Sequence, residues 1–286
     1  MNIHFGPAGN EDAFAKAGHK SSLDAPAYLA AMGLNAYEYQ CGRGVNIGAD
    51  KAVLLGEKAR EHGVQMSLHA PYFISLASPE EKKRENSIRY ILESCAAVDA
   101  MGGNRVVIHP GAPVGKPRDE AMELALVTLK DARDAADAAG FAHILLCPET
   151  MGKQNQLGTL SEVCAFCNLS DRIIPCVDFG HINAREGGIL ASRSDFAALL
   201  DRLAEGVGEE KAKIFHSHFS HIEYSAGGEV RHLTFDEEQY GPFFEPLAEE
   251  LALRGWTPTI ICESAGTQAQ DAARMQAAYR AALAAR

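Results

Sequence analysis

Eight short apolar runs, spread along the whole chain and separated by helical patterns, constrain this fold more than any other feature. They are 2–6 (NIHFG), 35–40 (NAYEYQ), 64–70 (VQMSLHA), 105–111 (RVVIHPG), 143–149 (HILLCPE), 173–181 (IIPCVDFGH), 213–220 (KIFHSHFS) and 258–264 (PTIICES). They are rich in Val, Ile, Leu and aromatic residues and continuously apolar, as strands buried on both faces are. Helical patterns over 24–33, 50–63, 78–102, 119–140 and 244–255 each close on glycine, a common helix terminator.

Strand and helix alternating eight times in 286 residues predict an α/β fold, a closed (β/α)8 TIM barrel, as a single domain over 1–286. An open doubly wound sheet is the runner-up, but 5–12 (FGPAGNED) lacks its G-x-G-x-x-G turn. No linker or low-complexity tract marks a boundary. No apolar stretch approaches the roughly 18 residues of a membrane helix. The opening MNIHFGPAGN has no basic region followed by an apolar run, so no signal peptide is expected and the expected location is cytoplasmic.

The net charge of −11, from 27 basic and 38 acidic side chains, argues against adhesion to nucleic acid by global charge. The 7 cysteines are scattered through apolar segments and read as buried thiols. Cys164 and Cys167 form a lone C-x-x-C without a second pair, which reads as a buried helix face rather than half a zinc site.

The chemistry gathers at the ends of the predicted strands, where TIM barrels carry their active sites. Strands three to eight end in His69, His109, Glu149, Asp178 with His181, His216 with His218, and Glu263; His221 and His232 follow strand seven. A single histidine at a strand end is usually structural, but this many at one barrel mouth are not easily chance. Packed carboxylates repel and take up protons unless cations bind them. Imidazole with carboxylate suits zinc, with manganese or iron as competitors. His4, His19, His62 and His143 are assigned to structure or solvent.

The segments 68–78 (LHAPYFISLAS), 107–113 (VVIHPGA), 149–159 (ETMGKQNQLGT), 176–184 (CVDFGHINA) and 262–266 (ICESAG) resemble endonuclease IV, a family of zinc-dependent endonucleases for abasic sites in DNA. The family belongs to the xylose isomerase-like superfamily of TIM barrels. The resemblance implies a three-zinc cluster, of which this chain is expected to hold two or three ions. It matches His69, His109 and Glu149 to the first metal, with Glu149 bridging to the second. Asp178, a strand-seven histidine and Glu263 complete the second, and His181 and His232 belong to the third. It also implies catalytic roles for Glu149 and Glu263, and places Tyr72 beside the opened DNA.

The chain departs from that pattern in two places. Val230 stands where the family places an aspartate, two residues before His232; Glu229 is the alternative carboxylate, expected to point differently in an extended strand. At strand seven His216 and His218 both remain candidates, because alternate residues face the same side; His218, nearer the C-terminal end, is slightly favoured. His221 is an additional candidate for a supporting role.

A second class fits part of the same set. Single-metal sugar isomerases and epimerases of the superfamily use Glu, Asp, His and Glu, which Glu149, Asp178, one of His216 and His218, and Glu263 also supply. His69, His109, His181 and His232 have no task in such an enzyme and favour a multinuclear phosphodiesterase cutting DNA 5′ to abasic sites. Arg43, Lys116, Arg118, Lys153, Arg185 and Arg231 lie in expected mouth loops and are the candidates for the DNA backbone. A monomer with no membrane partner is expected.

Overall fold

The strands pair in parallel and in register around a closed ring. The computed structural model describes residues 3–286. One sheet holds β1 (His4–Pro7), β10 (Thr259–Cys262), β7 (His216–Phe219) and β6 (Cys176–Asp178), in that order. The other holds β2 (Ala36–Gln40), β3 (Gln65–His69), β4 (Arg105–Ile108) and β5 (Leu145–Pro148). Two seams close them into a barrel. The Gly9 amide donates to the Glu38 carbonyl at 2.9 Å across β1 and β2. The Thr150 amide donates to the Cys176 carbonyl at 3.0 Å across β5 and β6.

Helices α2 (Ala25–Ala31), α3 (Ala49–Glu61), α4 (Glu81–Ala100), α5 (Arg118–Ala138) and α10 (Glu245–Arg254) follow the predicted patterns within a few residues. Gly255 ends α10 at φ 65°, where a β-carbon would be strained. The short α6 (Leu160–Cys167) starts from a capping box, in which Thr159 and Glu162 exchange side-chain and backbone hydrogen bonds. Cys164 and Cys167 are buried free thiols on α6, as the helix-face reading expected.

The strands face two environments. Val106 and Ile108 of β4 join the large core beneath the helices, whereas Val107 packs with Cys147, Ile174 and Cys176 in a separate cluster. That alternation fills the barrel interior with side chains, as in other TIM barrels.

Two segments differ from the sequence expectation. Phe179–His181, expected to continue strand six, instead opens helix α7 (Phe179–Arg185). Asp178 caps it, its Oδ1 accepting the His181 amide at 2.7 Å, so His181 sits in a first helical turn. The segment carrying His232, expected as a loop, is the second strand of an antiparallel hairpin, β8 (Ile222–Ser225) and β9 (Gly228–His232). The hairpin docks on the loop after β5, with the Glu229 amide donating to the Gly152 carbonyl at 3.1 Å. Glycine is required at both ends of this contact. A β-carbon on Gly228 would lie 2.1 Å from the Gly152 carbonyl oxygen, and one on Gly152 would lie 2.6 Å from the Glu229 β-carbon.

Candidate metal centre

The strand ends converge on Glu149, which is fully buried and touches four imidazoles. Its Oε2 lies 3.4 Å from His69 Nε2 and 3.1 Å from His109 Nε2. Its Oε1 lies 3.1 Å from His218 Nδ1 and 3.3 Å from His181 Nδ1. Burial opposes its charge, but His218 and His109 lead a set of imidazoles that holds the carboxyl well below its usual range.

Of the five donor groups that the described residues form, three build the centre around Glu149. The first is His69, His109 and Glu149; the second is Glu149, Asp178, His218 and Glu263; the third is His181, Glu229 and His232. Within each, the donor atoms lie within 4.8 Å of one another. Backbone carbonyls aim two of the imidazoles. His69 Nδ1 donates to the Ala70 carbonyl at 2.8 Å, so its Nε2 lone pair faces Glu149 and His109. His181 Nδ1 lies 2.9 Å from the Thr150 carbonyl, and its Nε2 faces Glu229 at 3.5 Å. Ser220 Oγ holds His232 Nδ1 at 2.8 Å.

These donors fit divalent cations. Glu149 Oε2 and Asp178 Oδ2 are buried and meet only imidazole nitrogens, His69 and His109 for the first and His181 Nδ1 at 3.2 Å for the second, none of them aligned as a hydrogen bond, an arrangement a shared cation would satisfy. The Nε2 atoms of His69 and His109 face each other at 3.2 Å beside Glu149 Oε2, so a proton or a metal ion has to fill the point where the three meet. Imidazoles and carboxylates in groups of three and four are a donor set for zinc, manganese or iron. Without a cation, protons gather on Asp178 and His181 instead. Burial and the neighbouring Glu149 raise the Asp178 carboxyl. Burial works against a charge on His181, yet Asp178 and Glu149 push its imidazole up to about 10.

The third group corrects the expectation for Glu229. β9 carries a bulge: Tyr224 pairs with Glu229 but Glu223 pairs with Arg231, leaving Val230 as the extra residue. A bulge reverses the alternation of side chains. Val230 therefore stands 51% exposed, while Glu229 reaches His181 and lies 3.9 Å from His232.

At strand seven the histidines separate by depth. His218 faces the second group through Nδ1, 3.5 Å from Glu263 Oε2. His216 lies beneath it and bonds Glu38 Oε2 through Nε2 at 2.8 Å. Burial lowers the His216 imidazole to about 4, against the pull of Glu38. Glu38 itself was missed in the sequence. It is fully buried on β2, and a lone acid inside the apolar run NAYEYQ was the signal available. His221 was expected to support the site, but it stacks on Phe235, ring centroids 4.7 Å apart, and Glu237 supplies its carbonyl partner.

The centre opens into a cavity of about 830 Å³. Tyr72 stands at its wall, 58% exposed, stacked on His109 with ring centroids 5.3 Å apart. Arg43 and Lys153 line it, as do Gln156 and Gln268, whose Oε1 atoms are buried without partners among the described residues. The other basic candidates have different partners. Arg185 donates to the carbonyls of Met151, Lys153, Gln154 and Gln156, fixing the loop after β5. Arg118 clamps Glu162 at 2.6 Å and the Gln156 carbonyl at 2.8 Å. Arg231 pairs with Glu223 at 2.8 Å and lines a separate surface recess with Glu237 and Tyr240 rather than the cavity. Lys116 pairs with Glu120 at 3.2 Å.

An uncharacterised protein of Methanocaldococcus jannaschii is 33% identical over 238 residues, covering 82% of this chain and 84% of that one. A protein of Acholeplasma laidlawii named "Probable endonuclease 4" is 30% identical over 132 residues, 43% of this chain and 44% of that relative. Among solved structures, a D-tagatose 3-epimerase-like protein aligns with a TM-score of 0.72 at 18% identity, covering 100% of this chain and 99% of the other. Endonuclease IV from Thermus thermophilus aligns with a TM-score of 0.66 at 20% identity and the same coverage. At these identities the structural likeness establishes the fold. The model of one family matches residues 26–283, and with the barrel closed as described the chain belongs to the xylose isomerase-like TIM barrel family.

Proposed function

We propose that this chain is a metal-dependent phosphodiesterase, with zinc as the best-suited ion, that cleaves DNA on the 5′ side of abasic sites. The observation that carries the reading is Glu149 in contact with four imidazoles, which joins three donor groups into one centre. A one-metal enzyme needs only the second group. His69, His109 and His181, with Glu229 and His232, are then unexplained. In a phosphodiesterase the additional ions have a task, since charge develops on the attacking, leaving and nonbridging oxygens together.

His69, His109 and Glu149 would hold one ion; Glu149, Asp178, His218 and Glu263 a second; His181, Glu229 and His232 a third. Bound ions would supply Lewis acidity toward the phosphoryl oxygens and acidify water near neutral pH. The chain's own groups do the rest. Glu263, 16% exposed beside the cavity, would hold the ion with one carboxylate oxygen and orient an incoming water with the other. Arg43 and Lys153 offer positive charge to the flanking phosphates, and Tyr72 offers an aromatic face to an unstacked base. Water supplies OH to phosphorus, the bond to the 3′ oxygen breaks, and that oxygen leaves as a hydroxyl.

The four-residue group Glu149, Asp178, His218 and Glu263 favours a second reading, a single-metal sugar isomerase or epimerase. A duplex with one synthetic abasic site separates the two. The first reading expects a nick on its 5′ side that a chelator prevents. An intact duplex with fully metallated protein, together with epimerisation of a ketose, would move the assignment to the second.

A further inference from the structure

We infer that Glu38 is a positioning residue that holds the Nε2–H of His218 and so turns Nδ1 toward the donor cluster as the nitrogen that would meet a metal ion. The inference rests on the metal reading of that cluster.

β2 and β7 are not neighbours in the barrel; β1 and β10 separate them, so Glu38 and His218 meet only across the interior. Glu38 Oε1 lies 2.9 Å from His218 Nε2, and Glu38 Oε2 lies 2.8 Å from His216 Nε2. Ser67 Oγ donates to Oε2 at 3.1 Å, and Gln40 Nε2 donates to Oε1 at 3.1 Å. All four contacts bring a donor to the carboxylate, which can only accept when ionised. His218 therefore carries a hydrogen on Nε2, donated to Glu38. Its other nitrogen, Nδ1, is the one that faces Glu149 at 3.1 Å and Glu263 at 3.5 Å.

This is the carboxylate–histidine–metal arrangement that fixes ring orientation and raises ligand basicity. Glu38 and His218 are both fully buried, so bulk water does not reach their contact. Without it, His218 would lose the partner that selects Nε2–H. A metal-bound imidazole needs its remaining hydrogen on Nε2, and the carboxylate that holds it there would be gone. His216 has the complementary task. It fills the space beneath Glu38 and occupies the second oxygen, so the carboxylate cannot rotate away from His218.

The test is cobalt(II) uptake, followed by absorption and by competition with a chelator, in wild type, Glu38→Gln and Glu38→Met. Glu38→Met should lose about 10–100-fold in affinity at the cluster, the range for removal of a supporting partner. Its cobalt spectrum should change. Glu38→Gln keeps one acceptor oxygen and should fall between Met and wild type. Equal affinity and an unchanged spectrum in Glu38→Met would overturn the inference while leaving the metal reading intact. A wild-type chain that takes up no cobalt would remove the metal reading, and this inference with it. If Glu38→Met fails to fold, cadmium-113 bound to 15N-histidine-labelled wild type decides instead. One-bond coupling to His218 Nδ1 is expected; coupling through Nε2 would overturn the proposal.

Discussion

Glu229 and His232 stand three residues apart on β9, yet both face His181, because the bulge at Val230 reverses the alternation between them. An unbulged strand would put them on opposite faces. A carboxylate thus enters the third donor group from a position one residue away from where the endonuclease IV pattern places it.

Glu229→Ala should therefore release one ion early. Stepwise dialysis against a chelator, with metal analysis at each stage, is expected to show one ion leaving ahead of the others and ahead of its wild-type position. Val230→Asp should leave the profile unchanged, since residue 230 points to solvent. Tighter retention in Val230→Asp would mean that the bulge is not kept in solution.

Glu149→Gln should be the most damaging single change at the centre. Glu149 contacts members of all three groups, and an amide carries no charge to hold two cations. Loss of nicking should exceed the roughly 10–100-fold typical of supporting residues. Glu263→Gln should follow it. Circular dichroism should match wild type in both. Turnover near the wild-type value in either variant would remove that residue from the centre.

The metal-free protein should lose stability as pH rises from about 6.5 toward about 10, the ordinary and folded values for His181. A group whose folded value is raised stabilises fully below its unfolded value and loses that contribution through its folded one. Asp178 and Glu149 favour the charged imidazole, so deprotonation removes a favourable interaction. Metal uptake near neutral pH should displace that proton. Calorimetric titration in buffers of differing ionisation enthalpy would reveal it, and no proton release would contradict the assignment.

The basic residues should divide by their partners. Arg43→Ala and Lys153→Ala should each weaken binding to abasic duplex and reduce the salt slope by about 0.9 for each phosphate no longer neutralised. Arg231→Ala should leave the slope unchanged. Arg185→Ala should instead speed hydrogen exchange in 151–156, whose carbonyls it holds. A reduced slope with unchanged exchange in Arg185→Ala would return it to the DNA-contacting group.

Much of the molecule was legible in one dimension. Apolar runs such as RVVIHPG and HILLCPE, each followed by a helix pattern, are enough for a barrel, because a strand buried on both faces needs helices outside and side chains inside. The same periodicity put His69, His109, Glu149 and Glu263 at strand ends, and those ends share one mouth by topology. What the sequence could not decide depends on contacts between distant segments. The choice of His218 over His216 is a matter of depth along one strand, which parity cannot distinguish. Glu38 acquires its role only when β2 and β7 face each other across the interior. Arg185 was legible as a charge, but the carbonyls that occupy it come from the loop after β5. Glu229 depends on a one-residue bulge, and no local propensity at Gly228–His232 announces it. Strand and helix are set by local periodicity; the partner of a buried polar atom is set by which elements the closed barrel brings together.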